Sequence, residues 1–274
     1  MRILVSGLRK LVRRPASFVT VGLLAGLLVL IVIASASVSG RATTPQSQAA
    51  ARALVTFPIA YDFILSFMLG LGGLFAVIYG AAIAGSEWGW GTLKNAVARG
   101  ESRARYLLLT FAAIAVMVAV GLILTFAVGV VSALIGASIA GVSTSGLGDS
   151  ATLSRLPMEF ARGWFAVVEE AALGFAIATL ARSQLAGIGA GIAFYFGEAF
   201  AAIFLPDIVK YLPFAVARAS VDIATSAGGP GGGPGGGGGA AGLPADTALL
   251  LVGLWLVGSL LVAVLFTERA EITG

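Results

Sequence analysis

The chain has 274 residues, of which 58% are hydrophobic and 11% charged, with a mean hydropathy of +1.00 and a net charge of +4. That balance lies far outside what a soluble core requires and reads as an all-α integral membrane protein, with room for about six spans of roughly 20 residues each. Cysteine and histidine are both absent, which excludes disulfides, thiolate chemistry and Cys-ligated metals and removes the commonest general base and metal ligand; the basic residues sit at the ends of apolar runs, so a nucleic-acid partner is not implied.

Residues 2–14, RILVSGLRKLVRR, place Leu4, Leu8 and Leu11 on one helical stripe and crowd Arg2, Arg9, Lys10, Arg13 and Arg14 around the rest. This is the pattern of a helix over about 1–15 that lies along a membrane surface, and Pro15 ends it. A first span follows at 18–38. Its basic approach and Ala34-Ser35-Ala36 imitate a secretory signal, but the apolar run is too long for one. A polar stretch from Ser39 to Pro58 leads into a second span at 59–84.

The charged segment SEWGWGTLKNAVARGESRARY occupies 86–106. Within it, Thr92 is expected to cap a short helix over 92–99, and Gly100 to end it with Arg99 in the last turn. Its roughly eight residues reach only about 12 Å, so the helix needs a surface to dock against. Arg103 and Arg105 then open the third span, 106–131, whose apolar character trails on to Ala140.

A Ser/Thr/Gly-rich loop at 141–161 precedes a fourth span at 163–181, and Arg182-Ser183-Gln184 makes a tight turn. A fifth span at 185–205 is stopped by Pro206, and a sixth covers 247–266. Between them GGPGGGPGGGGG at 228–239 is not followed by the Lys of a phosphate-binding loop. The surrounding 226–245 is therefore expected to be a flexible outer linker. With both chain ends on one side, that side collects eleven Lys and Arg and the other six. Both termini and segment 86–106 are accordingly expected to be cytoplasmic.

Ionisable residues inside spans are costly and are functional suspects. Asp62, Glu169, Glu170 and Glu198 are such residues, expected toward the outer side. They either line a substrate path or pair with Arg155, Arg162, water or polar atoms of neighbouring spans. Gly22 with Gly26, and Gly187 with Gly191, have the spacing that lets helix backbones approach closely in lipid, either within one chain or between two copies. Trp88, Trp90 and Trp164 fit interfacial anchoring, and Trp255 fits core or lipid packing.

The segment 86–106 also resembles the membrane subunits of type-2 ATP-binding-cassette (ABC) exporters, in which a pattern like E-x-x-x-GT-L-K-x-x-x-x-R-G-x-S-R-x-x-Y-L follows the second span. This chain matches it at Glu87, Gly91, Thr92, Leu93, Lys94, Arg99, Gly100, Ser102, Arg103, Tyr106 and Leu107. The resemblance extends to the whole architecture and departs from it at the glycine tract, where an ordered, re-entrant outer loop would be usual. It implies a non-enzymatic permease of a bacterial or archaeal cell membrane, working as a pair of copies. A separate ABC ATPase subunit would hold ATP and Mg and press on the short cytoplasmic helix. This chain would bear no cofactor and no catalytic residue, and the cargo would be a drug, peptide antibiotic or lipid-like molecule. Two other readings stand beside it: a secondary transporter coupled through the intramembrane acids, for which no internal repeat is visible, and a non-transporting membrane scaffold.

Overall fold

The structure is a computed structural model that describes residues 2–41, 44–221, 223 and 243–270, with side chains described from Val5 onward. The glycine tract and the 226–242 part of the expected linker lie outside the described residues. Among the described residues there are eleven α-helices, one short 3-10 turn and no strand. In chain order the helices are α1 (Arg2–Val12), α2 (Pro15–Val38), α3 (Pro45–Ala53), α4 (Ile59–Gly89), α5 (Thr92–Ala98), α6 (Arg103–Ala140), α7 (Ser150–Ala181), α8 (Gln184–Phe204), α9 (Pro206–Val209), α10 (Pro213–Ala219) and α11 (Ala245–Arg269). Six of them, α2, α4, α6, α7, α8 and α11, are long and apolar enough to cross a membrane. The chain is an all-α, multi-pass membrane protein.

Several elements outrun their expected bounds, and local chemistry explains each. Pro15 opens α2 rather than only closing α1, since its missing N–H costs nothing in a first helical turn. The polar stretch after α2 folds into α3 because Thr44 and Ser47 form a reciprocal capping box. The third span continues through Ala140 and stops at Gly141, which has a left-handed φ of 64°. Most of the expected 141–161 loop is the beginning of α7. Asp149 caps that helix, its carboxylate accepting from the Thr152 amide at 2.9 Å and the Thr152 hydroxyl at 2.6 Å. These bonds hold the Asp149 carboxyl below its ordinary range.

The centre of the bundle is the α4–α7 pair. In their most apolar stretches 67% of α4 and 72% of α7 are buried, against 17–39% for the other four spans, so those four form the lipid-facing rim. Apolar side chains gain little by leaving lipid for protein, and close backbone packing has to supply the cohesion instead. A methyl placed on Gly80 would lie 2.1 Å from the Ala171 carbonyl oxygen, and one on Gly174 would lie 2.1 Å from that of Val77. The two helices therefore touch backbone to backbone at two levels.

Small residues also seat α8, where a methyl on Gly187 would meet Ala178 Cβ at 2.4 Å and one on Gly191 would meet Val77 at 2.4 Å. Among the described residues no neighbouring atom lies within 4 Å of such a methyl on Gly22 or Gly26. The fifth-span glycines thus serve internal packing, and those of the first span face outward.

Helix α1 packs on α6: Leu11 is buried, and a methyl on Gly7 would lie 3.4 Å from Ala113 Cβ. At the far end of the bundle, the chain just after the fifth span is ordered as α9 and α10. Phe214, Val216 and Ala217 are fully buried there, and Trp255 donates to the Tyr211 carbonyl at 3.0 Å.

Candidate functional site

Segment 86–106 is a junction, and its focus is one carboxylate. Helix α4 runs past the expected end at 84 and carries Glu87 into its last turn, only 7% exposed. Burying a carboxylate is costly unless it is paired and hydrogen-bonded, and here both oxygens are engaged. Oε1 accepts from Lys10 Nζ at 2.5 Å and from Arg14 Nη2 at 3.2 Å. Oε2 accepts from Tyr106 Oη at 2.6 Å and from the Thr92 hydroxyl. One side chain thereby ties α1, the α1–α2 connection, α5 and α6 to the end of α4. Arg14 also donates to Ser86 Oγ at 2.8 Å and lies over the Trp90 ring at 4.8 Å.

Helix α5 is bounded as expected, with one correction. Gly91, at φ 64°, occupies the N-cap position, not Thr92. The Thr92 hydroxyl donates back to the Glu87 carboxylate, a charge-assisted hydrogen bond. At the other end Gly100, at φ 86°, sits past the last turn. Its amide donates to Val97 O at 2.9 Å and that of Glu101 to Ala96 O at 3.2 Å, a Schellman closure that favours glycine. Leu93 is the buried foot of the helix, while Lys94, Asn95, Ala98 and Arg99 form its exposed side. The result is a basic surface on a fixed base.

The rest of the matched pattern extends the junction. Ser102 caps α6 by accepting from the Arg105 amide at 3.4 Å, and Leu107 is buried behind it. Arg103 Nη1 donates to the carbonyls of Thr267 at 3.1 Å, Glu268 at 3.2 Å and Ala270 at 2.8 Å. These are the orphan acceptors of the α11 C-terminus. Glu268 returns a bond by accepting from the Ala104 amide at 3.1 Å. Arg182, at the α7–α8 turn, lies over Trp88 at 5.3 Å and Phe266 at 5.2 Å.

Hydrogen bonds to a charged group contribute about 1.5–3 kcal/mol each. Arg103→Ala should therefore raise amide hydrogen exchange in the last turn of α11 roughly tenfold. Arg103→Lys, lacking the planar fork, should restore only part of the protection. Unchanged exchange in Arg103→Ala would remove this residue from the junction.

Sequence reasoning singled out Glu87, Thr92 and Arg103 but missed the side chains that complete the site. Lys10 and Arg14 were expected to face the membrane surface, and Tyr106 entered only as a pattern match. An available signal was Glu87 itself, an acid beside the end of an apolar span and flanked in sequence by two basic clusters.

The intramembrane acids form two separate groups. Asp62 pairs with Arg155 at 2.7 Å, and Arg155 also holds Glu159 at 3.1 Å. Arg162 pairs with Asp246 instead. About 16 Å further along α4, Gly73 makes room for Glu170, whose Oε2 a methyl there would approach to 2.0 Å. Glu198 accepts from the Phe214 amide at 3.2 Å and lies 3.8 Å from Arg218. Glu169 is fully buried, and among the described residues neither of its oxygens has a hydrogen-bond partner. Both Glu169 and Glu170 are thus interior, although the angle between them keeps them from facing one point. Among the described residues no three acids are placed to share a metal ion.

Neither the protein-family models nor the curated proteins contain a match to this chain.

Proposed function

We propose that this chain is the membrane subunit of a type-2 ATP-binding-cassette exporter. It works as a pair of copies with two copies of a separate ATPase, in a bacterial or archaeal cell membrane, with both termini and α5 on the cytoplasmic side. The observation that carries the reading is α5 itself. A seven-residue helix is too short to be stable alone, yet this one presents Lys94, Asn95 and Arg99 outward on a base held by Leu93 and Glu87. That arrangement suits a surface that receives force.

A displacement of α5 passes through Thr92 to Glu87, which belongs to α4, and from there to α1 and α6, because Lys10 and Tyr106 make short hydrogen bonds to the same carboxylate. The backbone contact of α4 with α7 makes those two spans one body, so motion at the junction tilts the centre of the bundle. The cytoplasmic side is supported by the excess of Lys and Arg there, and a second copy is accommodated on the open Gly22–Gly26 face of α2. The ATPase would supply ATP-Mg and the hydrolytic residues. Cargo is a drug, peptide antibiotic or lipid-like molecule, in keeping with apolar spans that carry few polar groups for recognising a sugar or nucleotide.

The test is purification from native membranes of the host. A soluble subunit with a GxxxxGK[ST] motif should accompany the intact chain and be lost when 92–98 is replaced by a Gly/Ser spacer. Absence of any such subunit from the intact preparation would reject the proposal.

Glu169, buried with neither oxygen partnered, favours a second reading, transport driven by a cation gradient through the interior acids. Export that continues without any ATPase and is abolished by Glu169→Gln would select it.

A further inference from the structure

We infer that a groove between α2, α4 and α6 holds one acyl chain of an anionic phospholipid from the leaflet that borders α1. Its walls are Val21 and Leu24 of α2, Phe75 and Ala76 of α4, and Val118 and Leu122 of α6. The groove is open along one side. From Ser17 to Leu24 it follows α2 for about 10 Å, less than the depth of one leaflet's hydrocarbon. Exposed Phe18 and Leu23 flank the groove-lining stripe of α2 on either side, and Val120 and Leu124 are exposed on α6, so the groove opens among apolar side chains into hydrocarbon rather than water.

The polar groups at the groove decide what it takes. Ser17, Thr20 and Tyr79 line its α1 end, but their hydroxyls are already engaged. Ser17 donates to Leu11 O at 2.7 Å and shares a bond with Tyr79 at 2.8 Å, and Thr20 donates to Ala16 O at 2.8 Å. The hydroxyl hydrogens are thus spent, so a guest that must accept a hydrogen bond finds no donor there, whereas a hydrocarbon chain needs none.

Charge selects the head group. Lys10 and Arg14 are occupied by Glu87, but Arg9 and Arg13 are exposed and have no ion-pair partner among the described residues. Arg13 lies in the α1–α2 connection, four residues before Ser17 in the chain, on the side from which the head group of a lipid whose chain lies in the groove would approach.

The groove exists because Gly72 lacks a side chain. A methyl there would meet Leu24 at 3.6 Å, an ordinary contact, while a larger group would fill the space. Native mass spectrometry of the purified full chain tests the assignment, using phosphatidylglycerol and phosphatidylcholine with identical acyl chains. One phosphatidylglycerol should be retained in preference to phosphatidylcholine, and the preference should fall about fivefold for each of Arg9→Gln and Arg13→Gln. Gly72→Ala should retain the lipid and Gly72→Leu should lose it.

Equal retention of the two lipids would overturn the inference, as would a folded Gly72→Leu variant that still retains phosphatidylglycerol. If a span of a second copy covers the groove, Gly72→Leu would instead dissociate the pair and release no lipid, again overturning it. Should Gly72→Leu not fold, a fluorophore on Thr20→Cys gives the same answer, since the chain has no other cysteine. Phosphatidylglycerol brominated along its chain should quench that label, and equal quenching by brominated phosphatidylcholine would refute the inference.

Discussion

Glu87→Ala is expected to uncouple the junction and, on the proposed function, to abolish export. The substitution leaves Lys10 and Arg14 facing each other without a counter-charge and releases the hydroxyls of Thr92 and Tyr106. Removing one member of a buried ion pair costs about 3–5 kcal/mol. The lower figure applies here, because the Lys10 side chain is 35% exposed and partly solvated. Thermal unfolding of the purified chain should report a loss of about 3 kcal/mol, and export in vesicles should fall more than tenfold. Glu87→Gln keeps an acceptor for the two hydroxyls but no charge, so it should lie between the wild type and Glu87→Ala in both measurements. A Glu87→Ala protein with wild-type stability and export would show that the carboxylate does not carry the junction.

Gly80→Leu and Gly174→Leu are expected to prevent assembly of the bundle. The obstruction at each position is a backbone carbonyl at 2.1 Å, which cannot rotate away as a side-chain tip can. Overpacking a well-filled interior typically costs about 1–3 kcal/mol and more where backbone must move. Recovery of monodisperse protein after detergent extraction is the readout, and both variants should give almost none. Gly189→Leu, on an open face of α8 with nothing within 4 Å, should be recovered like the wild type. Normal recovery of Gly80→Leu would mean that α4 and α7 are not in backbone contact.

The six spans were legible because length and apolarity are properties of one stretch of chain at a time. Their ends were less so, because tertiary partners decide them. Glu87 reads as a loop residue until Lys10, Arg14 and Tyr106 are brought to it, after which the helix continues through it. The beginning of α7 was hidden in a Ser/Thr/Gly-rich composition that resembles a loop, although Asp149 and Thr152 carry a recognisable cap. Helix α5 was legible from Gly91 and Gly100, whose left-handed conformations mark its ends. The role of Thr92 was not, since Gly91 takes the cap position and the Thr92 hydroxyl donates to Glu87 only in the folded protein.

The acids illustrate the same limit. Their presence in spans was plain, but the Asp62–Arg155 pair joins residues 93 apart in sequence, and nothing local distinguishes paired Asp62 from unpartnered Glu169. The glycines most central to the core, Gly80 and Gly174, have no glycine four residues away and so escaped the spacing rule. Gly187 and Gly191 obeyed that rule and pack within the chain.

The proposed role of α5 as the receiver of force is tested most directly by a single cysteine at Asn95, on the exposed side of that helix in a chain with no native cysteine. In native membranes Asn95→Cys should form a short-linker cross-link to the nucleotide-binding subunit, and a membrane-impermeant maleimide should label it only from the cytoplasmic face. Labelling from outside intact cells, with no such adduct, would contradict the account.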